Sequence, residues 1–196
     1  MSCPKCQLKH QCICPEIPSI KSTLAIAMLT HSNELQRDTN TGRWVVDALS
    51  SCQMHIWDRV KPPQALIQQI KDPNYAPYLV FPSEKYLVPQ QAIKLANEES
   101  QQPLFIILDG TWQEAGKMYR KSPWLQSLPV VVVENTPKSQ YQLRRNQQDG
   151  NLCTLEVAAC LLEANLDTRD SKQLNEFLRQ YTLAFKADKS GHALKK

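Results

Sequence analysis

The sequence predicts an α/β fold, with a mostly parallel sheet covered by helices on both faces and a small cysteine-rich unit in front. Three observations carry this. The apolar runs are continuous rather than alternating, as in strands buried on both sides. They are separated by segments with helical spacing, the pattern of βα units. Four of the seven cysteines fall within the first 14 residues of the 196-residue chain.

In chain order, residues 1–20 form the Cys- and Pro-rich unit and residues 21–187 the main domain. Residues 188–196 form a polar, basic tail expected to be frayed. Strands are expected at 24–30 (LAIAMLT), 54–57 (MHIW), 78–81 (YLVF), 104–108 (LFIIL) and 130–134 (VVVVE). Helices are expected between them at 41–52, 63–70, 90–98 and 111–122, and two more, 154–166 and 171–187, close the chain. Apolar content of 42% with 21% charged residues is ordinary for one folded domain. No apolar run approaches the ~18 residues of a membrane helix, and no signal-peptide core is visible, so a cytoplasmic protein is expected. A net charge of +4 permits a polyanionic partner without requiring one.

Cys3-x-x-Cys6 followed by Cys12-x-Cys14 offers four thiolates to one tetrahedral ion, and such a closed shell points to structural zinc. In a cytosolic chain this reading outweighs disulfides. Cys52, Cys153 and Cys160 sit in apolar or helical surroundings and read as inert packing residues.

Three polar loops follow predicted strands. The first, 30–43, carries His31, Asn33, Glu34, Arg37, Asn40, Thr41 and Arg43. The second is Asp109-Gly110-Thr111-Trp112. Here Thr111 and Glu114 fit a capping box and Gly110 permits the turn, whereas a carboxylate at the end of a buried strand must be solvated, paired or working. Trp112 either packs on the core or walls a pocket. The third loop, 136–156, carries Lys138, Ser139, Tyr141, Arg144, Arg145, Thr154 and Glu156. Loops beyond the carboxyl ends of parallel strands are where such sheets bind ligands, so the three can converge on one cleft.

Asp109, Thr111 and Trp112, preceded by His31, Arg37 and Asn40-Thr41-Gly42-Arg43, resemble the DTW-domain family. So do the following Ser122-Pro123, Leu128-Pro129, Ser139-x-Tyr141-x-Leu143-Arg144-Arg145, Thr154-x-Glu156 and the opening cysteines. The resemblance runs from Cys3 to about Leu162. It departs at Gln142, where many relatives carry Arg, and at Cys153, where many carry Ser.

What the resemblance implies is a knotted, SPOUT-like domain acting as a tRNA-uridine aminocarboxypropyltransferase. Such an enzyme moves the 3-amino-3-carboxypropyl group of S-adenosylmethionine onto N3 of a tRNA uridine. The missing G-x-G-x-x-G loop and the total of five glycines agree, since they disfavour a Rossmann-type cofactor site. On this reading Asp109 is the catalytic or cofactor-orienting acid. The cofactor is held around Gly110, Thr111, Trp112, Leu128, Pro129, Ser139, Tyr141, Arg144, Thr154 and Glu156. The tRNA meets His31, Arg37, Asn40, Arg43, Lys138 and Arg145. Two other readings stay open: a SPOUT-type RNA methyltransferase, and a non-catalytic zinc-dependent RNA-binding module. Neither the oligomeric state nor the modified uridine follows from the sequence.

Overall fold

The computed structural model describes residues 2–134, 139–141, 143 and 152–194. Five strands, β1 (Ala25–Thr30), β2 (Cys52–Ile56), β3 (Tyr75–Val80), β4 (Gln102–Asp109) and β5 (Val130–Val131), form one parallel sheet in the order β2-β1-β4-β3-β5. The helices are α1 (Gly42–Ala48), α2 (Gln64–Lys71), α3 (Pro89–Glu98), α4 (Trp112–Arg120), α5 (Pro123–Gln126), α6 (Thr154–Ala164) and α7 (Thr168–Lys189). The expected α/β fold, with a parallel sheet between helices, is therefore present.

The two-residue period of a strand sorts its side chains between two cores. Ile26, Met28, Tyr78, Phe105 and Ile107 pack with α1, α3, α6 and α7. Ala27, Leu29, Leu79, Leu104, Ile106 and Leu108 pack on the other face with α2, α4 and α5. Both faces being covered is why these strands read as unbroken apolar runs. On the first face Trp44 meets Phe177 and Tyr181 edge-on, at ring-centroid distances of 5.6 and 5.2 Å, joining α1 to α7.

Pairing adjusts several expected boundaries. Helix α1 ends at Ala48 rather than 52, because Ile20 bridges Leu49 and Cys52 begins β2 opposite Ile26. The helix expected over 111–122 runs from Trp112 to Arg120, and Pro123 starts a separate short helix, α5, beyond it. Strand β5 is only two residues long: it pairs with β3 at the sheet edge while Leu87 bridges Val131 from outside.

The cysteine-rich unit shares the main core. Cys6, Leu8 and Ile13 are buried together with the residues of α1, α6 and α7. The N–H groups of Lys9 and His10 donate to Asp188 Oδ1 at 2.7 and 2.8 Å. The segment expected to fray thus begins inside α7 and clasps the N-terminal unit, with Leu194 N also donating to Gln11. Among the described residues, no helix is long and apolar enough to cross a membrane.

Candidate active site and metal centre

Strand order decides where a crevice opens. After β1 the chain leads to β2 on one side, and after β4 it leads to β5 on the other, beyond β3. The carboxyl ends of β1 and β4, where Thr30 pairs with Asp109, are therefore a topological switch point.

Asp109 is the hub of this point. It is fully buried, and its carboxylate accepts from Asn40 Nδ2 at 2.8 Å and from Thr154 Oγ1 at 2.9 Å. Its carbonyl oxygen accepts from His31 N at 2.9 Å. One residue of the second loop thus holds the first loop and the start of α6. Gly42 makes room for it, since a Cβ there would lie 2.6 Å from Cγ and both carboxylate oxygens of Asp109. Burial of this carboxyl group is tolerable because each oxygen receives a donor.

A second layer links the first loop to α4. Asn40 Nδ2 also donates to the buried Glu34, at 3.0 Å. Arg37 donates to Glu34 through Nη1 and grips Glu114 with both terminal nitrogens, at 2.7 and 2.9 Å. Asn33 adds a donor to Glu114 at 2.8 Å. The capping box expected from Thr111 and Glu114 forms, with Thr111 N donating to Glu114 Oε2 at 2.8 Å and Glu114 N to Thr111 Oγ1 at 3.2 Å. The Arg37 guanidinium holds the Glu114 carboxyl well below the usual carboxylate range, and Glu114 raises Arg37 in return. His31 is 7% exposed, accepts from Asn33 N through Nδ1 and stacks on Trp57 at 5.5 Å.

The third loop is organised by Glu156, which accepts from Ser139 Oγ at 2.8 Å, Gln140 N at 2.7 Å and Cys153 N at 2.8 Å. Tyr141 is buried, and its hydroxyl donates to the Thr39 carbonyl of the first loop. The three loops are therefore cross-linked at one end of the sheet. Arg43 lies beside them, half-buried: its guanidinium stands 4.4 Å over the Trp44 ring and donates to the Asp38 carbonyl at 3.0 Å. Gly110 and Leu128 are half-buried near the ends of β4 and α5, Pro129 is exposed, and Trp112 stands 51% exposed instead of packing on the core. Lys138, Gln142, Arg144 and Arg145 lie outside the described residues.

Glu34, Glu114, Gly42 and Trp57 were not among the residues the sequence assigned to the site. Glu114 read as a cap only, and Glu34 as one polar group among many. Nothing in the sequence placed Trp57 beside His31.

The sulfurs of Cys3, Cys6, Cys12 and Cys14 all lie within 4.8 Å of one another, with close separations of 3.6, 3.8 and 3.9 Å. A tetrahedron with metal–sulfur bonds of ~2.3 Å has edges of ~3.8 Å, so this donor set fits a bound metal ion. Hydrogen bonds from the Cys6 and Lys5 backbone bring the Cys3 thiol down to about 6, while burial pushes Cys14 of the same cluster up to about 12, so the fit to a metal rests on the sulfur geometry. Burial also pushes Cys52 up to about 12 and Cys160 up to about 11, as inert packing thiols require.

Residues 1–186 match the DTW-domain family. The chain belongs to that family. A protein of Drosophila melanogaster named tRNA-uridine aminocarboxypropyltransferase 2 is 29% identical over 180 residues, covering 86% of this chain and 69% of that one. No solved structure matches this DTW domain significantly.

Proposed function

We propose that this DTW domain transfers the 3-amino-3-carboxypropyl group of S-adenosylmethionine to N3 of a tRNA uridine, releasing 5′-methylthioadenosine. The observation that carries this reading is family membership over nearly the whole chain, joined to a similar protein bearing the name of that activity. The crevice between β1 and β4 supports it, as does the lack of a glycine-rich dinucleotide loop. A tRNA substrate fits a cytoplasmic protein, and the family resemblance implies a SPOUT-like knot.

In the reaction, the lone pair of N3 forms a bond to Cγ of the amino-acid arm. The sulfonium–Cγ bond breaks with its electrons going to sulfur, and the N3 proton leaves to a base. Activation is already present in the sulfonium, so the protein's task is positioning: Cγ, and not the methyl carbon, must face the nitrogen. On this reading Gly110, Thr111, Leu128, Pro129 and the turn at Ser139–Tyr141 are assigned to the cofactor, with Thr154 and Glu156 bracing them and Arg144 pairing with its carboxylate. Arg43, Lys138 and Arg145 serve the RNA backbone, while His31, Arg37 and Asn40 shape the loop that presents the base. Beside the catalytic and cofactor-orienting roles read from the sequence, the complete burial of Asp109 between Asn40 and Thr154 favours a third, orienting the loops, over direct proton abstraction. Zinc on the four cysteines is structural, because four thiolates leave no open position for chemistry.

The test follows two labels. Unmodified tRNA is incubated with S-adenosylmethionine labelled at the methyl or at the carboxyl carbon. The carboxyl label is expected in tRNA and the methyl label in the small-molecule fraction. Methyl label in RNA would establish a methyltransferase instead, and no label in RNA would leave a binding module.

A further inference from the structure

The exposed face of α4 has a composition that the fold does not explain. Trp112, Gln113, Lys117, Arg120 and the following Lys121 are exposed, and the segment's one acid, Glu114, is turned into Arg37. An indole left 51% exposed forgoes the burial that usually justifies its size. One turn further on sits Gly116, mid-helix, where glycine costs about 1 kcal/mol relative to alanine. No packing demands it: a Cβ there would meet only the Arg120 guanidinium, with Nη1 at 3.1 Å and Cζ at 3.9 Å. Trp112, Gly116 and Arg120 are spaced four residues apart and so share one stripe of the helix. Arg120 folds back along that stripe over the bare backbone of Gly116. Beside it, Lys117 leans towards the crevice, its Nζ 5.9 Å from the centroid of the Trp57 ring on which His31 stacks.

We propose that this face of α4 is a docking surface for single-stranded RNA, and that an unpaired base neighbouring the target uridine stacks on Trp112. Gly116 lets the Arg120 guanidinium lie flat along the helix beside the indole, where it and Lys117 meet the flanking phosphates. The occupant follows from the chemistry. Three cations with no free acid select a polyanion, and an exposed aromatic plane beside them selects one whose bases are unstacked. The surface begins three residues after Asp109, so a strand lying on it is led into the crevice. The proposal rests on the tRNA reading and adds to it a surface distinct from the loop cations.

The test measures affinity for an unmodified tRNA transcript and, separately, for S-adenosylmethionine. Trp112→Ala is expected to weaken tRNA binding about 5- to 150-fold, the range for one lost base stack, and Trp112→Tyr to restore most of it. Arg120→Ala is expected to reduce the salt slope of tRNA binding by about one. Gly116→Ala separates function from folding, because the two readouts move in opposite directions. It should raise the melting temperature by about 2–4 °C, as a glycine removed from a helix does, while weakening tRNA binding. If the parent binds tRNA and Trp112→Ala and Gly116→Ala bind it equally well, the docking surface is wrong and the functional reading stands. Loss of S-adenosylmethionine affinity alone in Trp112→Ala overturns the surface and gives Trp112 to the cofactor. A parent that binds no tRNA removes both.

Discussion

At the scale of single residues, the crevice is governed by what Asp109 and Glu114 accept. Asparagine at 109 can keep one acceptor for Asn40 and donate to the Thr154 hydroxyl, which rotates, so it preserves the cross-link while removing charge and basicity. Alanine orphans both donors. If Asp109 orients the loops, Asp109→Asn should retain at least ~10-fold more turnover than Asp109→Ala. If it takes the N3 proton, both should lose ~10²-fold or more, and single-turnover rates distinguish the two. Glu114 gives a pH signature. Its carboxyl is held low chiefly by Arg37, with Glu34 and His31 also facing the pair. A depressed folded-state pKa contributes stability that is present above the unfolded carboxylate value of about 4.3 and is lost as pH falls through the folded value. Chemical denaturation of Glu114→Gln should therefore show a flatter acid limb below about pH 5 than the parent. Identical acid limbs would remove Glu114 from the stability account.

At the scale of elements, the start of α1 and the end of β4 are fitted to each other. Gly42 opens α1 because the Asp109 carboxylate occupies the space a side chain would need. Its φ is not positive, so the requirement comes from close approach and not from backbone strain. Gly42→Ala is expected to cost about 1–3 kcal/mol through overpacking and to lower turnover by displacing Asp109. A variant as stable and active as the parent would show that the hub has slack. The long helix α7 buttresses the same region from behind, since the Tyr181 hydroxyl donates to the Asp38 carbonyl at 2.6 Å and Lys189 pairs with Asp38.

At the scale of the whole molecule, the cysteine unit and the α/β domain melt as one body if the shared core is real. Cys6, Leu8 and Ile13 are buried with α6 and α7, and Asp188 clasps Lys9 and His10. Protein purified without chelators is expected to carry about one zinc, and Cys6→Ala to lose it. Removing the metal should lower the melting temperature of a single cooperative transition rather than add a separate low-temperature one. Elemental analysis that finds no metal, or a melting curve indifferent to chelation, would end the assignment.

The sequence by itself determined the strands, the alternation of βα units, the metal-binding spacing of Cys3, Cys6, Cys12 and Cys14, and the Thr111–Glu114 cap. Each of these is written in periodicity or short-range spacing, which needs no knowledge of distant residues. It also marked Asp109 as anomalous, because an acid ending an apolar strand breaks the local pattern. Only the tertiary structure decided what surrounds that acid. Asn40 and Thr154 lie 69 and 45 residues from Asp109, and Arg37 lies 77 from Glu114. Their meeting depends on β1 and β4 being neighbours, a matter of strand order. The same holds for the cysteine unit, which reads as separate along the chain yet shares the core because α7 returns to cover it. Trp112 shows the converse: its place in the first turn of α4 was legible, but whether that turn faces the core or solvent was settled by which side of α4 packs on the sheet.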